Sequence, residues 1–195
     1  MDVAREPPII GDMSERELFT KRLRLSPIDL PLVEAVMAGD RAGVERLCGA
    51  SFPKAWPGRA LIERAFTASL DAIRRDPEGR LWGDHLLLLR HEPRVVGSVV
   101  FHGAPDDEGV VEVAYGVEDE SQGKGFATEG VSACVAWALA QPGVRAVRAT
   151  TLPWHTPSLR VIAKIGMVKV GMRDSELLGE MIVFETRTKP ALAGA

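Results

Sequence analysis

The run from Val111 to Gly130 constrains this chain more than any other part of it. Val111-Glu112-Val113-Ala114-Tyr115-Gly116-Val117 alternates as a half-buried strand does, then passes through Glu118-Asp119-Glu120-Ser121 into Gln122-Gly123-Lys124-Gly125-Phe126-Ala127-Thr128. From Gly125 to Ala140 the apolar residues return at helical spacing, with Ala127, Val131, Cys134, Val135, Ala138 and Leu139 on one stripe, and Pro142-Gly143 closes the run. A strand therefore feeds a glycine turn that opens directly onto a long helix. Two glycines let the backbone approach a ligand closely. The N–H groups of the first helical turn point to one place together with the positive end of the helix dipole. Such a place suits a phosphate.

Spacing separates the phosphate loops that share this arrangement. A Walker A loop needs four residues between its first Gly and a Gly-Lys pair followed by Ser or Thr, whereas Lys124 is flanked by glycines and Thr128 comes four later. The dinucleotide fingerprint needs Gly or Ala three residues after its second Gly, where Thr128 stands, and it needs a preceding βαβ pattern rather than hairpin-like strands.

The rest of the chain predicts what surrounds the loop. Residues 1 to about 20 mix charge, Pro and Gly without a period and read as an extended lead-in. Leu23 and Leu25 alternate with Arg22 and Arg24 as a strand, and Ser26-Pro27-Ile28-Asp29 reads as a helix start with Ser26 as N-cap. Helices are expected over roughly 29 to 38, 40 to 48 and 59 to 75, with a loop from Gly49 to Gly58 around Trp56. Leu86 to Leu89, Val95 to Phe101 and Val111 to Val117 read as three consecutive antiparallel strands. After the long helix come a strand over Val144 to Thr151, a short helix over Ser158 to Lys164, and strands over Met167 to Val170 and Glu180 to Thr186. The order predicts an α/β (α+β) fold, a mixed, mostly antiparallel sheet with helices on its faces. At 195 residues one such domain is expected, over 21 to 188, with the lead-in before it and a short tail over 189 to 195.

Composition narrows the partners. A net charge of −3 gives no footprint for nucleic acid. No stretch approaches the ~20 apolar residues of a spanning helix, and the first residues lack the apolar core of a signal peptide, so a cytoplasmic protein without a membrane partner is expected. Cys48 and Cys134 fall in helical segments and read as small buried residues. His85, His91 and His102 have no metal-ligand spacing, so no metal is expected.

The loop fits the pattern Gln/Arg-x-x-Gly-x-Gly/Ala through Gln122, Gly125 and Ala127, and here the chain resembles the Gcn5-related N-acetyltransferase (GNAT) superfamily. Leu23 to Val170 follows that family's element order, and Val95-Val96-Gly97-Ser98-Val99-Val100-Phe101 is similar to its second-to-third strand segment. Thr150-Thr151-Leu152-Pro153-Trp154-His155-Thr156-Pro157-Ser158, continuing to Lys164-Ile165-Gly166-Met167, resembles the Asn-x-x-Ser…Lys-x-Gly-Phe signature of the ribosomal-protein N-acetyltransferase (RimJ/RimL-like) branch.

The resemblance implies the acyl-CoA N-acyltransferase fold, acetyl-CoA or another acyl-CoA as co-substrate, and a primary amine of a small molecule or polypeptide N-terminus as acceptor. It leaves a homodimer open. Backbone N–H groups of Gln122, Gly123, Lys124, Gly125, Phe126, Ala127 and Thr128 are expected to bind the CoA pyrophosphate, and the Tyr115 to Val117 strand to hydrogen-bond the pantetheine. Glu112 stands where the branch often places an acidic base, which burial would bring toward a useful pKa; it reads equally as an edge-strand glutamate. Ile162 stands where many members carry a proton-donating Tyr, so Ser158, aligned with the signature Ser, becomes the candidate donor or CoA-sulfur contact. His155 replaces the signature Asn and reads either as a cofactor contact or base, or as an exposed helix-start residue. These departures keep a second reading open, an acyl-CoA-binding module with little catalysis. Loops near 49 to 58 and 172 to 180 are expected to set the acceptor.

Overall fold

The computed structural model describes residues 16–54, 58 and 69–187. Among them, eight strands form one sheet in the order β1-β2-β3-β4-β5-β6-β8-β7. The strands are β1 (Leu18–Phe19), β2 (Leu23–Pro27), β3 (His85–Leu89), β4 (Val95–Phe101), β5 (Val110–Val117), β6 (Ala146–Thr151), β7 (Val168–Ser175) and β8 (Gly179–Arg187). All neighbouring pairs are antiparallel except β5 and β6, which run parallel. A parallel pair needs a crossover, and the long helix predicted after the glycine turn supplies it.

The helices are α1 (Leu30–Met37), α2 (Arg41–Cys48), α3 (Leu70–Arg75), α4 (Pro77–Arg80), α5 (Phe126–Ala140) and α6 (Thr156–Lys164). Each face of the sheet carries its own core, as the sequence predicts. Leu23, Leu25, Leu87, Val111, Val113 and Val147 pack with Phe126, Val131, Cys134 and Ala138 of α5 and Ile162 of α6. On the opposite face Leu86, Leu88, Val95 and Val100 pack with Leu32 and Val33 of α1, Val44 and Cys48 of α2 and Ile73 of α3. Strand alternation divides the two sets, and each fully buried Leu or Val contributes about 2 kcal/mol of hydrophobic stabilisation.

Several expected boundaries move. Ser26 is not the cap of α1: Ser26 and Pro27 stay in β2, paired with Leu86 and His85, and the Asp29 side chain caps the helix by accepting from Leu32 N at 2.9 Å. A carboxylate at Asp29, with Pro31 in the first turn, satisfies the start at no loss of strand pairing. Of the helix expected over 59 to 75, α3 is its last part, begun by Ser69 as cap; residues 59–68 and Trp56 lie outside the described residues. The last two strands reach further than their apolar cores, forming a hairpin that turns near Leu177 and Leu178. Among the described residues no helix is long and apolar enough to cross a membrane.

Candidate active site

The site begins where β5 leaves β6. The two strands pair only over Val110, Val111 and Glu112, matched with Ala146, Val147 and Arg148. Beyond that point β5 continues against β4 through Val113–Val117, while β6 continues against β8 through Thr151. Between the two diverging strands lies a wedge, and the β6-facing backbone edge of Val113–Val117 borders it. Gly97 fixes the other side of this β5 segment. A Cβ there would run into the Gly116 carbonyl oxygen, so β4 and β5 approach too closely for any larger residue.

The chain then passes a 3-10 turn at Asp119–Ser121 into the exposed glycine loop and α5. Gly123 and Gly125 adopt φ of 73° and 82°, a region that other residues enter at a cost of about 1–2 kcal/mol. Gly125 is the N-cap of α5 and no side chain caps this helix, so its first N–H groups face outward. The space ahead of them is open: a Cβ on Gly123 would meet nothing within 4 Å, and one on Gly125 only Arg22 Nη2 at 3.4 Å. The polar side chains of the loop hold the loop itself. Gln122 Nε2 donates to Val117 O at 3.1 Å and Asp119 Oδ1 at 2.9 Å, and Lys124 Nζ donates to Glu120 O at 2.8 Å. Phe126 is buried in the core.

Arg22, read from the sequence only as a strand residue, lies in the bend just before β2 and anchors this loop from there. Its Nη1 donates to Lys124 O at 2.8 Å, its Nε to Glu129 Oε2 at 2.7 Å, and its guanidinium lies 4.6 Å above the Phe126 ring. Glu129 also accepts from Thr20 Oγ1 and Arg22 N. Burial works to raise the Glu129 carboxyl, but these hydrogen bonds and the Arg22 charge hold it below the usual carboxylate range.

Across the wedge, on the α5 face, the only tyrosine of the chain meets Ser158. Tyr115 Oη lies 2.9 Å from Ser158 Oγ and donates to Ser158 O at 3.3 Å. The sequence offered the backbone of Tyr115 as a ligand; its hydroxyl was missed, although Val111, Val113 and Tyr115 fall on one strand face. Ile162 is 1% exposed and belongs to the core, so no proton donor stands there. His155 caps the start of α6 with an exposed ring. Its Nδ1 lies 3.5 Å from Thr151 Oγ1, and its side chain makes no cap bond.

Glu112 points to the opposite face, with Ala114. Thr150 Oγ1 donates to its Oε1, and Arg173 grips both oxygens, Nη2 to Oε1 at 3.0 Å and Nη1 to Oε2 at 3.1 Å. The expected rise of this carboxyl does not occur. Burial does act to raise it, but the Thr150 and Arg173 hydrogen bonds, the Arg173 charge and nearby His102 outweigh burial and hold it low. Arg173 was not singled out, although it lies in the 172 to 180 segment expected as an acceptor loop; that segment is not a loop throughout, since β7 runs to Ser175 and β8 starts at Gly179.

On the α5 face Tyr115 is thus joined to Ser158, and Val117 is joined to the loop through Gln122; on the opposite face Glu112 is joined to Thr150, and His155 approaches Thr151 at the end of β6. Cys48 and Cys134 are buried, and burial raises both thiols, as small core residues require.

Comparison with known proteins gives this geometry its family. The profile of the Acetyltransferase (GNAT) domain matches residues 22–168. The uncharacterized N-acetyltransferase YjdG of Bacillus subtilis is 24% identical over 151 residues, 77% of this chain and 89% of its own. Among solved structures, the ribosomal-protein-S5-alanine acetyltransferase of Vibrio fischeri superposes with a TM-score of 0.61 at 16% identity, covering 89% of this chain and 97% of that one. RimJ of Mycobacterium smegmatis in complex with CoA-disulfide gives 0.56 at 17% identity, covering 85% and 81%. With a sheet that splits between β5 and β6, a glycine loop opening α5 at the split and a family profile spanning both, the chain belongs to the GNAT acetyltransferase family.

Proposed function

We propose that the protein transfers an acetyl group from acetyl-CoA to a primary amine by direct attack while both are bound. The observation that carries this reading is the wedge between β5 and β6 with the uncapped N-terminus of α5 beside it. Open space before Gly123 and Gly125 fits a pyrophosphate, and the β5 edge from which β6 diverges fits the amides of a pantetheine arm. Backbone N–H groups of residues 122–128 hold the phosphates; the Tyr115–Val117 edge holds the arm. One of the edge amides polarises the thioester carbonyl.

The acceptor nitrogen forms a bond to the acetyl carbon and the C–S bond breaks. Ser158, with Tyr115 hydrogen-bonded behind it, gives the sulfur its proton; Glu112 takes the proton that the amine loses, directly or through water. The Tyr115–Ser158 pair offsets the missing donor at Ile162, which favours catalysis over mere binding. The acceptor class includes polypeptide N-termini and small amines; the Vibrio fischeri structure is named for an alanine of ribosomal protein S5. The catalytic unit spans 21 to 188 and acts in the cytoplasm.

The test is thiol release from acetyl-CoA against a panel of amino acids, peptides and polyamines, with N-acetyl product identified by mass. Acceptor-dependent release with stoichiometric product is expected. CoA binding without any acceptor-dependent release would sink the transfer reading and leave a binding module.

A further inference from the structure

On the acceptor side of the wedge, the carboxylate placed to receive a proton is already committed. Glu112 has its side chain 17% exposed and both oxygens held by Arg173, while Arg173 stands 48% exposed on β7. The other charged groups on this face are arranged around them. Arg148, beside Glu112 on β6, is held by Glu185 at 2.7 and 3.1 Å, and Arg187 donates to Glu185 at 2.9 Å. His102 lies near Glu112, and Asp106 acts on Arg148. With Asp106 counted, three carboxylates face three guanidiniums, and Arg173 is the half-exposed cation in direct contact with Glu112.

An amine arriving as an ammonium meets Arg173 as a like charge just where it must contact Glu112. An acceptor that brings its own anion reverses that interaction. A carboxylate a few bonds from the nitrogen pairs with the half-exposed guanidinium, a bidentate fork suited to carboxylate. Because Arg173 is half exposed, an incoming carboxylate can reach its guanidinium from solvent and take the place of Glu112.

Resting on the acetyltransferase reading above, we propose that the acceptor is an amine with a carboxylate within a few bonds of the nitrogen, that Arg173 binds this carboxylate, and that Glu112 is thereby released to take the amine proton. Free α-amino acids and peptides with an acidic first residue share this chemistry. The loss of one ion pair and the gain of another make acceptor binding and base release a single event.

The experiment uses the full chain and two matched acceptor pairs: L-alanine against alaninamide, and Asp-Ala-Ala amide against Asn-Ala-Ala amide. With saturating acetyl-CoA, kcat/KM for the carboxylate member of at least one pair is expected to exceed that of its amide by tenfold or more, and the pair that shows it identifies the source. Arg173→Gln should bring the ratio within twofold, mainly through KM of the anionic acceptor. With an amide acceptor, the acidic limb of its pH profile should move to higher pH, because Glu112 has lost its cation. Arg173→Lys, which keeps the charge without the fork, should retain part of the preference and serves if the Gln variant fails to fold. Equal efficiencies within both pairs, or a preference untouched in the Arg173 variants, would overturn the proposal while leaving acetyl transfer intact. Failure to acetylate any amine despite acetyl-CoA binding would instead remove the reading on which it rests.

Discussion

On the α5 side of the wedge, the groups facing open space are backbone donors of an uncapped helix, with the Gln122 and Lys124 side chains turned back to brace the loop. On the other side Glu112, Thr150 and Arg173 are bonded to one another. The difference shows two ways of preparing a site. A backbone cradle is set by chain geometry and stands ready for an anion. A side-chain cluster satisfies itself in the resting protein and must exchange a partner when substrate arrives. Donor binding should therefore depend on a few backbone positions, and acceptor use on which charges the acceptor brings.

The largest effect should come from breaking the cradle. Gly125→Asp sets a carboxylate against the phosphates at the start of α5, roughly 3 kcal/mol and so on the order of 100-fold in CoA affinity, while its positive φ costs about 1–2 kcal/mol of stability. Calorimetric titration with CoA on a variant with a native circular dichroism spectrum measures this; unchanged affinity would remove the loop from the cofactor site.

Next is Tyr115→Phe, which keeps the ring in the core but takes the hydroxyl from Ser158. Thiols leave readily, so a loss of about 10-fold in kcat is expected rather than the larger effects seen with poor leaving groups, with KM for acetyl-CoA unchanged. Ser158→Ala should match it, and the double variant should lose no more than either single one if the two act as one relay.

The bracing of the cradle is tested through Glu129→Gln, which should lower stability near neutrality by about 1 kcal/mol, given the exposure of Arg22, and raise KM for acetyl-CoA. Folding lowers the Glu129 carboxyl below its unfolded value. Its contribution is therefore present above the ordinary carboxylate pKa and lost as pH falls through the lowered one. Urea titrations should show the wild type and variant converging in acid; a gap independent of pH would mean the charge is irrelevant.

The smallest effect is expected at His155. With an exposed ring that makes a long contact to Thr151 and a tilted ring contact with Trp154, His155→Asn should change turnover by no more than about twofold. A tenfold loss would move His155 from the rim into the chemistry.

Much of this was legible along the chain. The alternation of Val111 to Val117, the glycine turn and the helical stripe to Ala140 follow from local sterics and periodicity, which act between residues a few positions apart. The same local rules located β3 and β4, whose apolar runs are buried on both faces. They failed at Ser26-Pro27, where pairing with β3 outweighed a helix-start signal.

What the sequence by itself determined was the cradle, because its donors are the backbone of one continuous segment. What only the tertiary structure decided was the company each side chain keeps. Tyr115 reaches Ser158 across 43 positions, Glu112 reaches Arg173 across 61 and Arg22 reaches Lys124 across 102. Those meetings depend on β6 entering parallel to β5 and on β8 lying between β6 and β7, an order fixed by burying both faces of the whole sheet at once.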